Sequence, residues 1–173
     1  TSLVTICHVN SEIGILQDIN KIGEILKNYP KIVFHVDGTQ AVGKIPVDVQ
    51  DTNVDFLSFS GHKFHAPKGV GALYIKNSMP LTSLLHGGEH MGGRRSGTLN
   101  VAGLVAMAQA LENANKFLAF EQSHVGRLRN KLEDALLSLP DVTVVGDRAN
   151  RVPNTILASI KGVEGEAMLW DLN

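Results

Sequence analysis

The sequence predicts an α/β fold with a mostly parallel sheet flanked by helices, and three observations support this. Short apolar runs of strand length alternate with turns rich in Gly, Pro and Asp through the first half of the chain. The runs are separated by stretches long enough to cross over, as parallel neighbours require, which suggests a doubly wound sheet with helices on both faces. Polar residues gather just after the runs, where open α/β sheets bind their ligands.

The elements follow in order. Residues 3–9 read as a buried strand. Residues 18–27 read as a helix, with Ile19, Ile22, Ile25 and Leu26 at helical spacing and Asp18 placed to cap it. Residues 32–36 form a β run between Pro30 and Asp37-Gly38. Residues 54–59 form another, and residues 70–76 a fourth, entered from Pro67-Lys68-Gly69. After the Gly-rich stretch 87–97 the chain becomes helical. Leu104, Met107, Ala108, Leu111 and Ala114 make one apolar stripe; Val125, Leu128, Leu132, Leu136 and Leu139 make a second. Both read as core or domain-joining faces, and Pro140-Asp141 ends the second helix. Residues 142–145 and 155–160 look like strands of a separate small α/β unit. The boundary falls in the helical region 120–140 and divides 1–125 from 126–173. Trp170 reads as packing.

Composition narrows the function classes. Hydrophobic residues make up 43% and charged residues 19% of the 173, which fits a folded globular chain rather than a disordered one. The formal charge of −1 gives no electrostatic case for nucleic acid or an anionic membrane. No apolar run approaches the ~18 residues of a spanning helix. The single Cys7 excludes an internal disulfide framework and any Cys-rich metal site within the chain, so a reducing, cytoplasm-like compartment is expected. The chain starts without Met as a strand already in progress and stops within an amphipathic run, 169–173, so it reads as an internal piece of a longer protein.

The chemistry-bearing residues follow the strands. Asn10 follows the first, Asp37 and Gln40 the second, and Ser60, His62 and Lys63 the third. A Lys in a pocket can form a Schiff base with a carbonyl ligand, and a carboxylate facing a ring nitrogen keeps that nitrogen protonated. Those are the parts of a pyridoxal phosphate site, with Ser60 and His62 able to bind phosphate oxygens. From residue types alone the plainer alternatives stay open, since strand-end Asp residues are mostly turn residues and most Lys residues are solvated. His86 and His90 stand four apart, but the glycines between them argue against a metal-binding helix. The segment from Gly88 to Arg95 lacks the Lys-Ser/Thr of a phosphate loop. His8 and His35 read as core residues on strands, and Cys7 as a small buried hydrophobe.

Four segments appear in order: Thr5-Ile6-Cys7-His8-Val9-Asn10-Ser11-Glu12-Ile13-Gly14, His35-Val36-Asp37-Gly38-Thr39-Gln40-Ala41-Val42-Gly43-Lys44, Ser58-Phe59-Ser60-Gly61-His62-Lys63 with Pro67-Lys68-Gly69-Val70-Gly71, and Arg95-Ser96-Gly97-Thr98. Together they resemble the cysteine desulfurases of the NifS/IscS type, within class V of the pyridoxal phosphate-dependent aminotransferase family. The resemblance implies a fold-type I large domain plus the start of a small domain. It implies that Lys63 carries pyridoxal 5'-phosphate as a Schiff base and moves a proton. Asp37 would pair with the pyridine nitrogen, and Gln40 would hydrogen-bond the phenolic oxygen. Asn10 would contact that edge and the substrate carboxylate, and Ser60 and His62 would bind the phosphate. Thr98 would reach the phosphate of a neighbouring subunit in a homodimer. The implied reaction converts L-cysteine to L-alanine and leaves an enzyme persulfide for a sulfur-acceptor protein in iron–sulfur cluster or thio-cofactor and tRNA assembly.

By the same resemblance, the Gly-rich phosphate turn and stacking His belong upstream of this chain. The nucleophilic Cys and the carboxylate-gripping Arg belong downstream, so the 173 residues by themselves should not turn over cysteine. Cys7 is not that nucleophile. Glu89, Met91 and Gly92 depart from the family pattern, as do Ala66 where Gly is usual and Gly38 where Ala is usual. Rival readings are a selenocysteine lyase, another class V enzyme, or a non-catalytic dimerising relative.

Overall fold

The structure, a computed structural model, describes residues 1–77 and 79–171. Four strands, β1 (Leu3–Cys7), β2 (Val33–Asp37), β3 (Phe56–Ser60) and β4 (Gly71–Ile75), form one sheet in the order β1-β2-β3-β4. The first three are parallel, and β4 runs antiparallel to β3. The connection across residues 61–70 holds only a 3₁₀ turn, too little for the crossover that a parallel neighbour needs. The order is sequential, so the reversal that defines a doubly wound sheet is not among these strands.

Alternation along the strands divides the sheet. Phe34, Val36 and Leu57 point to one face and build a core with Val54 and Phe64. Helix α1 (Ile19–Leu26) adds Ile19, Ile22 and Leu26, and helix α2 (Val101–Phe120) adds Met107, Ala110, Leu111 and Ala114. Both helices therefore pack on this face. The opposite face carries a polar row: Thr5 Oγ1 lies 2.6 Å from His35 Nδ1, and His35 Nε2 lies 3.0 Å from Ser58 Oγ. Cys7 stands on that face opposite Asp37 and is exposed, contrary to the expectation of a buried thiol. The period of two places it with Leu3 and Thr5 rather than with Val4 and Ile6.

The helix ends follow the sequence. Asp18 caps α1, its Oδ1 accepting from Lys21 N at 3.0 Å, and Asn100 caps α2 by accepting from Gly103 N at 3.0 Å. Helix α2 passes through a wide turn of π geometry, Glu121–Val125, into α3 (Gly126–Leu137) without a break. Strands β5 (Val142–Val144) and β6 (Ala158–Ile160) pair antiparallel in a second sheet, against which α3 packs. Helix α4 (Gly165–Asp171) follows, and residues 172 and 173 of the amphipathic run lie outside the described residues. Among the described residues no helix is long and apolar enough to cross a membrane.

Two expectations for the second half are corrected. Leu128, Leu132 and Leu139 are exposed, and α3 turns Gly126 and Glu133 inward instead. Trp170 is 82% exposed, so the packing expected of it is not made by the described residues.

Candidate functional site

Asp37 ends β2 and is half-buried. Its Oδ1 accepts the Thr39 amide at 2.9 Å, and no partner among the described residues holds Oδ2. Gly38 N donates to Ser58 O at 2.8 Å, which ties the β2 end to β3. A Cβ at Gly38 would lie 3.1 Å from Leu57 Cδ2, so the Ala usual in the resembling family fits only if that flexible side chain yields slightly. The next turn carries Gln40, half-buried, whose Oε1 accepts from the Lys44 ammonium. Gly43 closes the turn at φ +79°, and a Cβ there would lie 2.7 Å from Phe64 Cβ.

Ser60 ends β3, and the 3₁₀ turn Gly61–Phe64 carries His62 and Lys63. Its 3-residue period sends Gly61 and Phe64 inward and leaves His62 and Lys63 exposed. Phe64 anchors the turn, its ring tilted against Phe59 at 5.9 Å. His65 at φ 71° ends it. Lys63 lines a cavity of about 540 Å³ with Lys44, His65, Asn113, Phe117 and Asn154. Burial, and next the charge of Lys63, push the Lys44 ammonium below the usual lysine range, while Glu121 acts the other way.

Asn10 stands three residues beyond β1 on an exposed turn. Its Oδ1 accepts from Glu12 N at 2.9 Å and Ile13 N at 3.1 Å, so Nδ2 is the group left to meet a ligand. His8, two residues before it, is buried with no partner for Nδ1 among the described residues, and burial lowers its pKa.

Asp37 and the Ser60-to-Lys63 segment thus leave the carboxyl ends of adjacent parallel strands, and Asn10 follows the neighbouring one. Gln40 and Lys63 meet around Lys44. Thr98 is not brought to this group: it is exposed on the irregular segment between β4 and α2. Within that segment Ser96 Oγ donates to the carbonyls of Leu85 and His86.

Sequence reasoning passed over a second polar centre. Arg151 Nη1 donates to Glu133 Oε2 at 3.0 Å, and the two side chains are 0% and 4% exposed. Gly126, Arg129 and Glu133 share one face of α3 at helical spacing, which was the available signal.

A set of polar side chains at the carboxyl ends of parallel strands defines a ligand-binding α/β scaffold. All of it, residues 1–173, matches the aminotransferase class-V family, and the chain belongs to that family. It is 46% identical over 174 residues to a cysteine desulfurase IscS of Vibrio campbellii, an alignment covering 99% of this chain and 43% of that protein. A NifS-like protein of known structure superposes with a TM-score of 0.93 at 38% identity, over 97% of this chain and 46% of the other. A NifS-like protein from Rickettsia africae gives 0.93 at 34% identity, over 98% and 48%. The chain thus spans less than half the length of these relatives.

Proposed function

We propose that the full-length protein is a pyridoxal phosphate-dependent cysteine desulfurase, taking L-cysteine to L-alanine and passing its sulfur on as a persulfide. The observation that carries this is the delivery of Asp37, Ser60, His62 and Lys63 from the ends of two adjacent parallel strands in a class-V chain. The donor set fits the cofactor: Asp37 keeps one carboxylate oxygen for a ring nitrogen, and Lys63 offers a primary amine for an aldehyde. When bound, the cofactor supplies an electron sink for chemistry at the substrate α-carbon.

This chain's groups would hold and orient that cofactor, and a nucleophilic Cys elsewhere in the full-length protein would take the sulfur. With the cofactor bound, Lys63 Nζ would hold its aldehyde carbon and would carry the proton at the substrate α-carbon. Asp37 Oδ2 would accept from the ring nitrogen's N–H and so keep that nitrogen protonated. Because Lys44 occupies Gln40 Oε1, the Gln40 NH₂ is the end that donates to the phenolic oxygen. Asn10 Nδ2 orients the same edge and the substrate carboxylate. Ser60 and His62 bind the phosphate. Thr98, exposed and away from this group, reaches the phosphate of the partner copy in a homodimer. Residues 1–125 belong to the cofactor-binding domain and 126–173 to the connecting helix and small domain. A sulfur-acceptor protein takes the persulfide, in the cytoplasm.

The test uses the full-length protein with added pyridoxal phosphate. Wild type is expected to show a borohydride-reducible visible band and to form alanine from L-cysteine. Lys63→Ala loses that band. Asp37→Asn keeps cofactor and loses about a hundredfold in alanine formation, as expected when a charge on the reacting ring goes unmatched. A wild-type protein that binds cofactor and forms no alanine overturns the desulfurase reading. A reducible band retained in Lys63→Ala overturns the role of Lys63.

A further inference from the structure

The buried ion pair lies in the second unit, yet its segment is stitched to the turn that carries Asn10. Ile15 and Arg151 form an antiparallel bridge. Val152 N donates to Gly14 O at 2.9 Å, and Leu16 N to Asn150 O at 3.0 Å. Asn150 Nδ2 returns to Leu16 O at 3.0 Å. Within the turn, Asn10 N donates to Ile15 O and Gly14 N to Asn10 O, each at 3.0 Å. The orientation of Asn10 therefore follows the position of residues 150–152.

Those residues are fixed in turn from α3. Besides Glu133, Arg151 reaches the carbonyls of Val145 and Gly146 through Nη2, both at 2.8 Å. Arg129 Nη1 holds the Arg151 and Val152 carbonyls at 3.2 and 2.9 Å. The packing is tight on both sides: a Cβ at Gly146 would lie 2.7 Å from Ile15 Cδ1, and one at Gly14 would lie 2.7 Å from Thr155 Cβ.

We infer that Arg151, held by Glu133, is a positioning residue for Asn10: the buried pair fixes the segment that clamps the Asn10 turn and so aims the Asn10 amide at the bound ligand. The inference rests on the reading above that Asn10 meets cofactor and substrate. It adds that the small unit sets ligand affinity through a contact made to neither.

The test is a double-mutant cycle in the full-length, cofactor-loaded protein: wild type, Asn10→Ala, Arg151→Met with Glu133→Met, and all three changes together. Replacing both charges at once strands neither, and such swaps are often neutral for stability, which thermal unfolding checks. The readouts are the half-saturating L-cysteine concentration, kcat, and the cofactor dissociation constant from the visible band. The paired Met replacement is expected to raise the half-saturating concentration about fivefold and to leave kcat within about twofold. In the Asn10→Ala background the same replacement should change it by less than about 1.5-fold. If the pair destabilises the fold, Glu133→Gln, which keeps an acceptor for Arg151, is used in its place and should show the same dependence on Asn10 at smaller amplitude. An equal effect in both backgrounds, or none in either, overturns the inference. If Asn10→Ala alone leaves both ligand affinities at wild-type values, the reading of Asn10 has failed and the inference fails with it. The desulfurase reading is judged separately, on wild-type alanine formation.

Discussion

The two sheets are held by different physics. Around the four-stranded sheet the interior is apolar: Phe34, Val36, Val54, Leu57 and Phe64 are buried together, and two helices close over them. Beside the two-stranded sheet a carboxylate and a guanidinium are buried as a pair, while Val152 packs with Val9, Ala41 and Ile45 of the first part of the chain. Burying an apolar side chain is favourable wherever it touches others, so the first unit tolerates small shifts. A buried ion pair offsets its desolvation only in good geometry, so the second unit is sensitive to position. The comparison teaches that a site can be built on the tolerant part and aimed by the exacting one.

The largest expected effect tests the apolar side. Phe34→Ala should cost about 4 kcal/mol of stability, measured by urea unfolding of the full-length protein, since it empties the centre of the cluster. A loss under about 1 kcal/mol would mean that this face does not supply the cohesion. Next comes the ionic side. Arg151→Met alone should cost about 3 kcal/mol because it takes away the close partner of the buried Glu133 and leaves Arg148 Nε, 3.9 Å away, as its cation, whereas adding Glu133→Met should restore most of that loss. If the double replacement is as damaging as the single, the pair does more than balance charge.

The smallest effect concerns His8, between the two units. Burial keeps its imidazole neutral where the unfolded chain's has already taken a proton. Stability should therefore be undiminished above about pH 6.5 and decline as the pH falls from there through the lowered folded-state pKa. His8→Gln should flatten that acid limb in pH-dependent unfolding. An unchanged limb would assign it to other groups.

How much could be read in advance follows the same division. The strands of the first sheet were legible because alternation and turn residues are local, and their ends shifted by only a residue or two. Asp18 was legible as a cap because its position before Ile19 is a local signal. The strand-end positions of Asp37, Ser60, His62 and Lys63 were legible because each follows directly on a local strand signal. Cys7 was misjudged because an apolar run does not say which face has a cover. The direction of β4 depends on what the ten residues before it can span. Glu133 and Arg151 escaped notice because they are eighteen residues apart and meet only after β5 turns back. The exposed Leu128 and Leu132 looked like a core stripe, and by periodicity alone they are one.

The wide turn at Glu121–Val125 sets which residues of α3 continue the inward line of α2. A regular α-helix advances about 100° per residue, so a position eighteen residues on returns to the same azimuth after about five turns. From Ala114, which faces the core, that count lands on Leu132. The π turn takes up one extra residue, the azimuth slips by one place, and Glu133 arrives where Leu132 was due. One surplus residue in the rod thus acts as a phase shifter, converting a leucine seam into a charged one.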